Sequence, residues 1–282
     1  MKNKTIKSLL VALTLSLSVA AGCGSTGKSD SSSATNAEVS SDNTVSDNAD
    51  TSDSADEASV ENAVSGDTET VEETSTEVTS DNEAAANQLL IDLTGTYQEL
   101  WPVILSDEYE QLWLDNCAKL VGEENAQAAF DKLSSMVTGE VYGEDAVEAY
   151  ADGNGVYDCA FTEGVSTLEF DGDNAAIKGY DADGNELFSH TYHYAGMEDV
   201  RGLYEFESDD ADSGEFTYFC IAPDTNTTTY HIELRYGSDL DALGQYAEGP
   251  YAYWLGSGIS TDYDQTMIEN CIELFCTENL SE

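Results

Sequence analysis

"TYHIELRYG", residues 229–237, decides how this chain is read. Side chains alternate between the two faces of a strand. The stretch therefore sets His231, Glu233 and Arg235 on one face and Ile232, Leu234 and Tyr236 on the other. The apolar face belongs in a core. On the other face, His231 and Glu233 stand two apart and point the same way, as two ligands of one ion would. Zinc accepts imidazole and carboxylate and usually takes four ligands. The same face also reads as the ordinary polar exterior of a half-buried strand, with Arg235 paired to Glu233 and the carboxylate occupied.

Working outward from that strand, the period stays near two from Gly153 onward. Strands are expected over 156–162, 165–170, 174–180, 186–195, 202–207, 215–222 and 228–236. The turn sequences "DGDN", "DADGN" and "DADSG" separate several of them. Successive short strands joined by tight turns predict an antiparallel sheet curled into a barrel. "DADGNE", Asp181 to Glu186, looks like the start of a calcium loop but lacks the later acidic ligand and the flanking helices. A hairpin turn is expected there.

Helices flank the strands. "DEYEQLWLDNCAKL" spaces Tyr109, Leu112, Trp113 and Leu120 helically after Ser106 as N-cap, and "EENAQAAFDKLSSMV" repeats the pattern. The tail "STDYDQTMIENCIELFC" predicts an amphipathic helix capped by Ser260 or Thr261. Cys271 and Cys276 lie five apart on it, about 7.5 Å of helical rise, too far for a disulfide. Cys117, Cys159 and Cys220 could pair in ways the sequence leaves open.

The first residues, "MKNKTIKSLLVALTLSLSVAAGCGS", combine a basic start with a short apolar run and a small-residue cleavage site. Ala20-Ala21-Gly22-Cys23 resembles a bacterial lipobox, which implies a signal peptide over 1–22 and a lipid anchor on Cys23. Residues 23–86 hold Ser, Thr, Asp, Glu, Asn and Ala with almost no large apolar side chains. Such a segment cannot bury enough surface to offset the entropy of ordering and is expected to be an acidic tether, reaching about 40–45 Å as a flexible coil. Residues 87–282 are then one domain. The formal net charge is -48, and no Lys or Arg stands between Lys28 and Lys119. Nucleic acid needs a basic footprint and is excluded as a partner.

The order of motifs in the second half resembles the zinc-binding ZinT (YodA) family. Tyr192, Tyr194 and Gly196 match its "YxYxG" strand, "DVRGLYEFE" from Asp199 to Glu207 its next strand, and Ile221, Ala222 and Pro223 its "IAP" step. His231, Glu233 and Gly237 match its "HxHxxxG" strand, and "GPYAYW" from Gly249 to Trp254 the turn after it. "LTGTYQELWPVILSDEY" is similar to its opening helix, so the likeness runs over most of residues 93–277. The resemblance implies a mainly β fold, a lipocalin-like (calycin) antiparallel barrel preceded by helices and closed by a C-terminal helix. It implies an exported protein that binds zinc outside the cytoplasmic membrane and delivers it to an ABC importer.

The departures fall on the metal site. The family holds zinc with three histidines, and this chain has only His190, His193 and His231. In the resemblance the first family histidine falls at Phe219, beside Cys220, or in a short deletion; His231 fits the second and Glu233 stands at the third. The candidate ligands are therefore His231 and Glu233, with Cys220 and Asp224 as further donors. His190 and His193 are three apart and face opposite sides of their strand, which points to structural or surface roles. No nucleophile elbow or phosphate-cradling glycine loop is present, so a binding protein is expected rather than an enzyme. The competing expectation is a barrel with a degenerate metal site whose aromatic mouth (Tyr192, Tyr194, Tyr251, Tyr253, Trp254) takes an organic ligand or a partner protein.

Overall fold

The fold is described from a computed structural model, which covers residues 70–151, 155–224 and 226–281. The expected signal peptide, Cys23 and most of the expected tether lie outside them. Eight strands form a closed antiparallel barrel in chain order: β1 (Gly95–Glu99), β2 (Thr167–Asp171), β3 (Ala176–Tyr180), β4 (Glu186–Met197), β5 (Tyr204–Ser208), β6 (Tyr218–Ile221), β7 (Ile232–Gly237) and β8 (Gly256–Ser260). Closure comes from β1 against β8, where Gln98 faces Ile259. The helices are α1 (Thr70–Asp92), α2 (Leu100–Ile104), α3 (Glu110–Val121), α4 (Ala126–Ser135), α5 (Glu144–Ala149), α6 (Asn226–Thr229), α7 (Leu240–Leu243) and α8 (Gln265–Leu280). The expected barrel with preceding helices and a C-terminal helix is thus the observed one.

The alternation read from β7 holds. Ile232, Leu234 and Tyr236 point into the barrel, where Leu234 faces Ile221 and Tyr236 faces Phe219 across the β6–β7 ladder. Aromatic rings fill the interior: Tyr236 lies 5.1 Å from Phe219 and 4.9 Å from Trp254 between ring centroids. Tyr192 and Trp254, expected at an aromatic mouth, are buried core residues. From α1 and the residue just after it, Ala86, Leu89, Leu90 and Leu93 join the same core. That helix runs back into the stretch expected as tether, and Ala86 is fully buried.

A second core lies outside the barrel wall. Trp101, Trp113, Leu133, Ile268 and Ile272 from α2, α3, α4 and α8 cover Ile259 of β8. On the outward face of β7 the side chain of His231 is largely shielded from solvent, while that of Glu233 keeps 39% exposure. Arg235 has no solvent exposure and no carboxylate partner. Its guanidinium donates to the backbone carbonyls of Leu243, Gln245 and Tyr251 and sits 4.4 Å over the Tyr246 ring. It fastens the 240–251 segment to the sheet, so the expected Arg235–Glu233 pair does not form.

Three other expectations are corrected. The stretch 156–162 is no strand of the barrel; its Asp158 only bridges Thr138 and Trp254. Two strands were not foreseen, β1 and β8. The latter reads "GSGIS" and has no apolar alternation, because glycine is needed there: a Cβ on Gly258 would stand 3.0 Å from both Ile232 and Phe161. The cap of α8 is Asp264, whose carboxylate accepts from the Met267 amide at 2.9 Å, while Ser260 ends β8. Cys117, Cys159, Cys220, Cys271 and Cys276 are all free thiols, and the Cys117 and Cys276 sulfurs lie 3.9 Å apart between α3 and α8. The turns behave as read; Asp181 accepts from the Asp183 and Asn185 amides to close the β3–β4 hairpin.

Candidate metal centre

The site is built where β7 begins. Between α6 and β7, Tyr230 takes φ 68°, the left-handed region that an aromatic residue rarely enters. The reversal folds the chain so that Thr229 lies against His231. The Thr229 hydroxyl donates to the His231 carbonyl at 2.6 Å, and His231 Nδ1 donates to the Thr229 carbonyl at 2.9 Å. With its proton on Nδ1, the neutral ring carries its lone pair on Nε2. A backbone carbonyl that fixes the tautomer in this way is the usual outer support of a metal-bound histidine. His231 Nε2 faces Glu233 Oε1 at 3.6 Å. That exceeds a hydrogen bond and is close to the roughly 3.4 Å between two tetrahedral donors on one zinc ion.

The pair opens into a cavity of about 110 Å³ between the barrel wall and α8. Asp224 and Ser257 line it from the loop after β6 and from β8; Cys271, Phe275 and Glu278 line it from α8; Trp101 and Arg201 complete its wall. Of the expected donors, His231, Glu233 and Asp224 line this one cavity. Cys220 does not join them. Directly across from Glu233, the amide of Ala222 bonds the Glu233 carbonyl. Cys220 faces Arg235 instead, two residues further along, and burial pushes its thiol up to about 12. His190 and His193 are held by Asp210 and Asp209 at 2.9 and 2.8 Å, on opposite faces of β4, as expected of structural or surface roles.

No family model matches the chain, and no curated protein matches it. Among solved structures it is similar to the Zn(II)-bound ZinT-like domain of AdcA from Streptococcus pneumoniae. That similarity has 16% identity over 65% of this chain and 89% of that one, with a TM-score of 0.42. It is also similar to Zn(II)-bound AdcA of the same organism, at 15% identity over 66% of this chain, with a TM-score of 0.40. The chain spans about a third of that second protein, 34% of its length.

The charges in the cavity act on one another. Burial alone would lower the His231 pKa, but contacts with Cys271 and Glu233 outweigh it and hold the imidazole well above its ordinary value. Burial raises Glu233, and His231 with Arg201 brings it below the usual carboxylate range. Asp224 and Glu278 are both raised, first by burial; Glu233 adds to this in each, and His231 works against it. Among the described residues no group of three or more His, Cys, Asp and Glu side chains is gathered closely enough to hold a metal as it stands. The central pair alone fits a divalent ion in kind and in spacing. Sequence reading missed Glu278 and Cys271. Their signal was an acidic residue on the inward stripe of α8, where Cys271, Leu274, Phe275 and Glu278 recur at i, i+3, i+4 and i+7.

Proposed function

We propose that the protein binds a divalent cation, zinc foremost, in the cavity between β7 and α8, with His231 and Glu233 as ligands and Asp224 as a further donor. The observation that carries this reading is the His231–Glu233 pair. Nδ1 is committed to a backbone carbonyl, and Nε2 is left facing a carboxylate 3.6 Å away. Charge supports it: Asp224, Glu233 and Glu278 line the cavity against the single guanidinium of Arg201. Loss of the His231 proton on binding would leave a deficit of two charges, which a divalent ion fills. Size supports it too, since organic-ligand sites run to roughly 300–1,000 Å³, well above the 110 Å³ here.

The lipobox-like "AAGC" supports work outside the cytoplasmic membrane, with Cys23 as the anchor. Capture of zinc for an importer is the role the motif resemblance implies. Competition of the purified protein against a chelating dye tests the binding step. Zinc is expected to bind one-to-one at micromolar strength or tighter, and His231→Ala to abolish that stoichiometric binding. Equal weak binding by both proteins would leave only the acidic surface as the cause.

A further inference from the structure

Two thiols far apart in the sequence meet in the core outside the barrel. Cys117 stands on α3 and Cys276 on α8. Both are fully buried, and their sulfurs lie 3.9 Å apart. The other three thiols have different surroundings: Cys220 faces Arg235 across the β6–β7 ladder, and Cys159 and Cys271 line the cavity. A disulfide holds its sulfurs at about 2.05 Å, so this pair must close by roughly 1.9 Å. Helices packed about 8–10 Å between axes, with Cα atoms about 2.3 Å from each axis, leave roughly 3.4–5.4 Å between facing Cα atoms. That range overlaps the roughly 4.4–6.8 Å that a disulfide spans. The helices α3 and α8 pack directly on each other, so rotation of the two side chains is the main movement required.

We propose that Cys117 and Cys276 are a redox pair, and that oxidation joins α3 to α8 by a disulfide. The pair stands apart from the cation-binding reading. The oxidant is an external disulfide. One cysteine, having lost its proton, attacks a sulfur of that disulfide; its S–S bond breaks, and one half takes up a proton and leaves as a thiol. The second cysteine then gives up its proton and attacks the protein-bound sulfur, which releases the other half as a thiol. The two protein thiols lose two electrons and two protons, and the external disulfide gains both. Burial keeps the oxidant out of the closed fold, so exchange waits on local opening. The bond closes a loop of 159 residues, and cross-links over long loops restrict the unfolded chain most. It also reaches the cavity. Cys276 follows Phe275, whose ring lies 4.8 Å from Trp101 and 6.0 Å from Trp113. Trp101 and Phe275 both line the cavity, so the disulfide fastens its α8 wall to the helices behind it.

The test refolds the reduced full-length protein from urea in a mixture of reduced and oxidised glutathione, so that access to buried sulfur is not limiting. Free thiols are then alkylated, and the digest is mapped by mass spectrometry. One cross-linked peptide pair is expected, joining Cys117 to Cys276, with Cys159, Cys220 and Cys271 carrying the alkyl label. The oxidised protein is expected to melt about 4 °C or more above the reduced protein. Excess dithiothreitol should return both labels and the lower melt. In Cys117→Ala, Cys276 should stay unpaired and the glutathione mixture should not raise the melt. The map is read on wild type alone, so it stands even if that variant fails to fold. Alkyl labels or glutathione on both Cys117 and Cys276 after refolding would overturn the proposal, as would a disulfide joining either of them to another cysteine.

Discussion

Arg235→Met removes the one guanidinium buried on the outward face of β7. Its two close partners are the carbonyls of Leu243 and Tyr251; the contacts to Gln245, at 3.3 to 3.4 Å, are weaker. Leaving a buried carbonyl without its donor costs about 1–3 kcal/mol, so the two close partners cost about 2–6 kcal/mol together. Methionine fills similar space and no longer has to be desolvated as a cation, which returns part of that loss. The net expectation is about 2–4 kcal/mol of destabilisation. For a domain of this size it lowers Tm by roughly 4–16 °C. Urea unfolding followed by tryptophan fluorescence, with chelator present, measures it. Arg235→Lys keeps the charge without the fork and should fall between methionine and wild type. Arg235 does not line the cavity, so zinc affinity of the folded methionine variant should stay within about threefold of wild type. A loss of stability under about 1 kcal/mol, or a collapse of zinc affinity in a folded variant, would refute the assignment of Arg235 to the 240–251 segment.

Two further outcomes follow from the packing and the charges. Gly258→Val sets branched carbons against Ile232 and Phe161, already 3.0 Å from where a Cβ would stand. Overpacking of this kind costs about 1–3 kcal/mol, and a thermal melt unchanged within about 1 °C would contradict the close β7–β8 approach. The metal-free protein should melt higher at about pH 5.5 than at about pH 8. Burial raises Glu99, Asp158, Glu205, Asp224 and Glu278, so the fold takes up protons as pH falls toward their raised values and gains stability. The raised His231 acts in the same sense, its contribution being lost as pH rises through its folded value. Asp181, Asp209 and Glu233, which are lowered, stay ionised in both states across this window and leave the difference unchanged. A melt that is equal or higher at about pH 8 would contradict the raised values of the buried groups.

The barrel was legible wherever alternation and turn chemistry agreed. The β3–β4 hairpin could be read because Asp181 and Asn185 make the turn by their own side chains. The segment β8 could not, since its glycines answer to Ile232 and Phe161 from elsewhere in the chain. The same holds for the site. His231 and Glu233 were legible because a strand's period of two converges them locally. Glu278 and Cys271 reach the cavity only when α8 docks, 38 or more residues after Glu233, and no local rule selects that pairing. Arg235 was misread for a related reason: its partners are backbone carbonyls, and a carbonyl has no signature in the sequence.

The central claim is that one imidazole and carboxylate oxygens hold the ion. X-ray absorption spectroscopy of the zinc-loaded protein, at one equivalent of metal, tests it most directly. The account predicts nitrogen and oxygen donors at about 2.0–2.1 Å, the outer-shell pattern of a single imidazole, and no sulfur. A scatterer at about 2.3 Å would place the Cys271 thiolate on the metal and contradict the donor set. An oxygen-only shell without imidazole would contradict the site itself.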